Sequence, residues 1–96
     1  MNRQQVLEQL TQYKKQYAKK YGILQLGIFG SFARSQEQAT SDLDICIKTD
    51  IPNPFNIVRI KEDLEGLFHL HVDIVRIREK MNSYLKERIK KEGIYV

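Results

Sequence analysis

One cysteine, Cys46, is all that this 96-residue chain contains, so an internal disulfide is excluded and a cysteine-based zinc site is disfavoured. No apolar stretch is long enough to span a bilayer, and the first residues, Met1-Asn2-Arg3-Gln4-Gln5, lack the apolar segment of a secretory signal. A cytoplasmic protein without a membrane partner is the expectation. Internal repeats, low-complexity tracts and glycine-serine linkers are missing too, and the only two prolines, Pro52 and Pro54, fall together in one loop. The length suits one domain over residues 1–96, near the lower limit for an enzyme. So small a domain has little room to hold an acceptor alone, which leads us to expect a partner that presents it.

Charge is the other scarce source of specificity. The net +4 and pI of about 9.3 come from basic runs such as Lys14, Lys15, Lys19 and Lys20, and Lys86, Arg88, Lys90 and Lys91. Runs of this kind are usually solvated helix faces. They allow weak attraction to nucleic acid or to an acidic partner, but no nucleic-acid reading motif accompanies them, and specific nucleic-acid binding is disfavoured.

What the chain does have is acids in a pattern. Asp42-Leu43-Asp44 opens an apolar run, and a third acid, Asp73, lies inside another, His71-Val72-Asp73-Ile74-Val75-Arg76. On a strand, residues two apart share a face, so Asp42 and Asp44 point the same way with alpha carbons roughly 7 Å apart. Leu43, Ile45 and Ile47 then face the core. Two like charges beside a core raise each other's electrostatic energy, which a divalent cation would relieve, and Mg²⁺ is the natural candidate. Taken by itself, an acid pair at a strand start is as often a solvated turn.

Upstream, Leu24-Gln25-Leu26-Gly27-Ile28-Phe29 predicts a strand running into Gly30-Ser31 and a short helical stretch, Phe32-Ala33-Arg34. A glycine there lets backbone approach a ligand, and the amides of the next turn attract anions such as phosphate. A glycine-serine pair after a strand is more often a mere turn; its force comes from the aspartates that follow.

The remaining elements follow from periodicity. Val6, Leu10, Tyr13 and Tyr17 draw one apolar stripe on a helix from about Arg3 to Tyr21-Gly22. Ile57, Ile60, Leu64, Leu67 and Phe68 draw a second, from about Phe55, with Gly66 weakening its end. A third strand is expected over Leu70 to Ile77, then a helix with Met81, Tyr84, Leu85 and Ile89 on one side and Gly93 as its cap. The predicted class is α/β (α+β), a small mixed sheet backed by helices. Spacing leaves the direction of the third strand open, although the intervening helix permits a parallel pair.

Gly30-Ser31-Phe32-Ala33-Arg34 followed by Thr40-Ser41-Asp42-Leu43-Asp44-Ile45 resembles the signature of the polymerase-beta-like nucleotidyltransferase superfamily, and most closely its minimal nucleotidyltransferase branch. Asp73 fits the third aspartate that the family draws from a later strand, and the resemblance covers residues 24–77. Many members carry glycine where Ser35 stands. The resemblance implies a palm-like fold and a metal-dependent transfer. Asp42 and Asp44 would hold one Mg²⁺ on the triphosphate and, with Asp73, a second near the attacking hydroxyl. Asp73 could also take the hydroxyl proton. Gly30 and Ser31 would hold the departing phosphates, with Arg34 supporting them or pairing with an aspartate. Stand-alone members of this type resemble the antitoxin of toxin-antitoxin modules whose partner is a HEPN-type ribonuclease toxin. The implied reaction attaches AMP from ATP to a tyrosine hydroxyl of that partner. Two alternatives stand beside it: a binding-only antitoxin acting by occlusion, and transfer to a small hydroxylated molecule such as an aminoglycoside.

Three further groups have blander readings. Cys46 is expected to be a packing residue. His69 and His71 have the spacing of two ligands on one strand face, but with no cysteine near them zinc is the weaker reading, and His71 could instead contact phosphate. Tyr13, Tyr17 and Tyr21 are expected to pack their helix.

Overall fold

The computed structural model describes all residues, Met1–Val96. Helix α1 spans Arg3–Tyr21, strand β1 Ile23–Phe29, the short helix α2 Gly30–Ala33, β2 Leu43–Thr49, α3 Pro54–Phe68, β3 Val72–Arg76, α4 Ser83–Glu92 and β4 Ile94–Tyr95.

Local chemistry sets the helix starts. The Asn2 side chain accepts from the Gln5 amide at 2.9 Å while the Gln5 side chain accepts from the Asn2 amide at 3.0 Å, a reciprocal cap that satisfies two otherwise orphaned donors. Asn53 caps α3 ahead of Pro54, whose fixed φ and missing N–H suit a first helical turn. Asn82 caps α4 through the Leu85 amide at 3.1 Å.

The strands form one mixed sheet in the order β3-β2-β1-β4. β1 pairs antiparallel with both β2 and β4, and β2 pairs parallel with β3. The direction left open by spacing is thus parallel, with α3 as the crossover.

Packing divides the sheet into two unequal faces. α1 and α3 cover one, where sixteen buried residues, among them Val6, Leu10, Leu26, Ile28, Leu43, Ile45, Ile47, Ile60, Leu64 and Val72, form the main core. Each large aliphatic side chain removed from water there stabilises the fold by roughly 1.5–3 kcal/mol before entropy is counted. Of the stripes read from the sequence, Val6, Leu10, Tyr13, Ile60, Leu64, Phe68 and Ile89 are buried and Tyr17, Ile57, Met81 and Leu85 half-buried, whereas Leu67 and Tyr84 turn out to be exposed. Tyr13 adds a polar tie, its hydroxyl donating to Asp63 Oδ2 of α3 at 2.8 Å. The other face holds a buried cluster of only three, Phe29, Cys46 and Ile89, with Val75, Ile77, Met81 and Leu85 packed around it.

Two local expectations change. β3 is shorter than the run Leu70 to Ile77, because His69 adopts a left-handed conformation (φ 55°) that ends α3, and so His69 and His71 do not share a strand face. Gly93 does cap the last helix, its amide donating to the Ile89 carbonyl at 2.7 Å, but it does so from an extended rather than a left-handed backbone (φ −61°) that leads directly into β4, a strand too short to show in the sequence pattern. Gly66 does not interrupt α3.

Candidate active site

Strand register brings the acids together. Phe29 lies opposite Asp44 in the antiparallel pair, and Asp44 lies beside Asp73 in the parallel pair. Asp44 alternates with the core residues Leu43 and Ile45, so it stands on the face away from α1 and α3, which it shares with Cys46. Asp42 directly precedes β2 and His71 stands just before β3. His71 Nδ1 is 3.5 Å from Asp42 Oδ2 and 3.7 Å from Asp73 Oδ1. One ligand atom from each of Asp42, His71 and Asp73 lies within 4.8 Å of the others, and all three residues are exposed.

Asp44 is the more enclosed acid. Burial pushes its carboxyl above the ordinary carboxylate value; Asp73 and Asp42 push the same way, while Arg88 and Arg34 oppose. A carboxylate that is half withdrawn from water and faces two others is poorly neutralised by its surroundings. Oxygen donors in this arrangement fit a hard divalent cation such as Mg²⁺, and the imidazole of His71 fits it less well.

The turn after β1 closes against the same acid. Gly30 has φ 75°, a left-handed conformation that glycine adopts without penalty, and a Cβ built there would run into the Asp44 carboxylate. Ser31 follows as the second residue of α2. The Gly30 amide donates to Glu92 Oε2 at 3.0 Å, and Arg34 donates from Nη1 to Glu92 Oε1 at 2.8 Å and from Nε to Gln36 Oε1 at 2.9 Å. Of the two roles expected for Arg34, pairing is therefore realised with Glu92 rather than with an aspartate. Arg88 completes this edge, its Nη2 lying 3.6 Å from Glu92 Oε2 and its guanidinium 5.6 Å from the Phe29 ring centroid.

Thus Gly30 and the three aspartates meet at one end of the sheet, with Arg34 beside them. His69 is outside the cluster. In the sequence Arg88 reads only as part of a basic, solvated helix face and Glu92 does not stand out from it; the sequence has no signal that α4 delivers them to the Gly30 turn. Cys46 is a packing residue, with burial pushing its thiol up to about 11 and an interaction with Tyr95 opposing the shift. The largest cavity, about 560 Å³, lies between α1 and α3, where Tyr13 and Asp63 help line it. It is across the sheet from the acids and takes no part in their chemistry.

Residues 10–96 match the nucleotidyltransferase domain family. The chain belongs to that family. This nucleotidyltransferase is 32% identical over 88 residues to protein adenylyltransferase MntA of Thermococcus cleftensis, a match covering 91% of this chain and 88% of the relative. It superposes with a TM-score of 0.79 and 26% identity on a solved structure provisionally described as a minimal nucleotidyltransferase, covering 98% of this chain and 95% of that one. A chain in the complex of tri-AMPylated HEPN toxin from Shewanella oneidensis with MNT antitoxin shares the fold at a TM-score of 0.59 and 16% identity, covering 88% of this chain and 69% of that one. The expected mixed sheet backed by helices and the expected enzyme class are both borne out.

Proposed function

We propose that this nucleotidyltransferase moves AMP from ATP to a hydroxyl of a HEPN-type ribonuclease toxin, most simply a tyrosine, and so acts as its antitoxin. The observation that carries the reading is the in-register placement of Asp44 and Asp73, with Asp42 beside them and Gly30 closed against Asp44. Support for the adenylyl group and for the protein acceptor comes from the MntA relative and from the AMPylated toxin complex that shares the fold.

In the proposed step the acceptor oxygen attacks the α-phosphorus of ATP. The bond from that phosphorus to the oxygen bridging the α- and β-phosphates breaks, and pyrophosphate departs. Asp73 stands on the exposed side of the cluster, where it can take the proton of the incoming hydroxyl. Asp42, Asp44 and Asp73 would hold Mg²⁺, two ions in the fullest form of the reading, which would offset the charge of the phosphates when bound. Ser31 and Arg34 would supply donors to the departing phosphates. The cytoplasm, where ATP and Mg²⁺ are at hand, is the setting this chemistry needs. A bulky, charged nucleotide fixed near the ribonuclease site would exclude RNA by volume and repulsion.

Intact-mass spectrometry tests this. The chain is incubated with the protein encoded beside it, Mg²⁺ and ATP, in parallel with Asp44→Asn. Gain of one or more AMP units by the partner, with the native chain alone, is the expected result. A stable complex without mass gain, together with neutralisation by Asp44→Asn, would replace the enzyme reading with a binding-only antitoxin.

A further inference from the structure

The carboxylate of Glu92 is built into the edge of the site by the fold itself. The pairing of Gly27 with Tyr95 and Ile28 with Ile94 lays the end of the chain along β1. Gly27 permits this approach, since a Cβ there would lie only 2.5 Å from the Ile94 carbonyl oxygen. Two further residues along β1 and two back along the C-terminal segment bring Gly30 and Glu92 face to face, where backbone pairing has ended and a side chain takes its place.

Both oxygens of that side chain are used. Oε2 accepts from the Gly30 amide at 3.0 Å and Oε1 accepts from Arg34 at 2.8 Å, with Arg88 at 3.6 Å from Oε2. Burial alone would raise this carboxyl, but the Gly30 amide, Arg34 and Arg88 together hold it below the usual glutamate value, so it stays charged. One carboxylate thus fastens a backbone turn and orients a guanidinium at once, through charge-assisted bonds of the stronger kind.

We infer that Glu92 is a positioning residue for nucleotide binding: it fixes the Gly30-Ser31 turn and aims Arg34, and through them it shapes the seat of the ATP phosphates. This rests on the reading of the site given under Proposed function. Glu92 touches neither substrate nor metal in this scheme. Its influence therefore falls on the affinity for ATP rather than on the chemical step.

The test compares Glu92→Ala and Glu92→Gln with the native chain, using AMP transfer to the partner toxin over a range of ATP concentrations. Glu92→Ala is expected to raise the KM for ATP about tenfold while leaving kcat at saturating ATP within about threefold of native. Glu92→Gln keeps one acceptor oxygen and should fall between the two. In an Arg34→Gln background the added effect of Glu92→Ala should shrink, because the two residues act as one unit. If Glu92→Ala does not fold, as judged by thermal unfolding, the decision passes to Glu92→Gln. An unchanged KM would overturn the assignment; so would a lowered KM, which would mean that the carboxylate competes with the phosphates, or a loss confined to kcat. Absence of ATP-dependent transfer by the native chain would remove the reading of the site and this assignment with it, an outcome distinct from normal transfer that ignores Glu92.

Discussion

The backbone of Gly30 and the carboxylate of Asp44 share a space that has no room for one more carbon atom. The positive φ of Gly30 is therefore only half of its requirement; the other half is the acid on the neighbouring strand. Replacing Gly30 with alanine should cost about 1–2 kcal/mol for the left-handed backbone, read by urea unfolding. It should also push Asp44 out of place and cut AMP transfer about 100-fold, read by product mass.

Asp44 carries a cost in the metal-free protein. Its folded-state value lies above the ordinary carboxylate value, so its ionisation opposes folding. The sign is the reverse of a salt-bridged aspartate: the penalty is absent below the unfolded value of 3.8 and grows as pH rises through the raised folded value. At neutral pH without divalent ions, Asp44→Asn should raise Tm by a few degrees; assayed with Mg²⁺ and ATP, the same variant should show no transfer. Added Mg²⁺ should raise the Tm of the native chain and do less for the variant, because a ligand stabilises the state that binds it.

Cys46 should be chemically silent. It is fully buried and its thiol is pushed up to about 11, so little thiolate exists at neutral pH. An aromatic disulfide reagent should leave the native chain unlabelled and titrate one thiol after denaturation. Rapid labelling of the native chain would show that the cluster around Cys46 opens readily.

Truncating the main core should separate stability from chemistry. Leu10→Ala removes a fully buried side chain that α1 packs against the sheet, and should cost about 2–5 kcal/mol in urea unfolding. The surviving folded fraction should keep its KM for ATP, because Leu10 lies on the face opposite the acids.

The legible parts of this molecule were those governed by short-range repetition. Val6, Leu10 and Tyr13 announce their helix through spacing, and Leu43, Ile45 and Ile47 alternate with Asp44 because a strand has period two. Asp73 was legible as a lone acid among aliphatics. What could not be read depends on pairing between distant parts. The parallel direction of β3 is decided by the crossover of α3 and has no local signature. β4 is two residues long, formed by its neighbour rather than by its own propensity. Glu92 acquires its partners only when β4 has docked, so its meaning is tertiary from the outset. The zinc reading of His69 and His71, already the weaker one, lapses for a related reason: spacing by two implies a shared face only if both residues are in the strand, and His69 is not.

The unequal burial of the two sheet faces also bears on how such an enzyme can change through time. Sixteen residues anchor the α1–α3 side, whereas the reactive side is held by three and a fringe of half-covered neighbours. Substitutions around the acids therefore draw on a small share of the folding free energy, leaving the chain free to try new acceptors while its foundation stays the same.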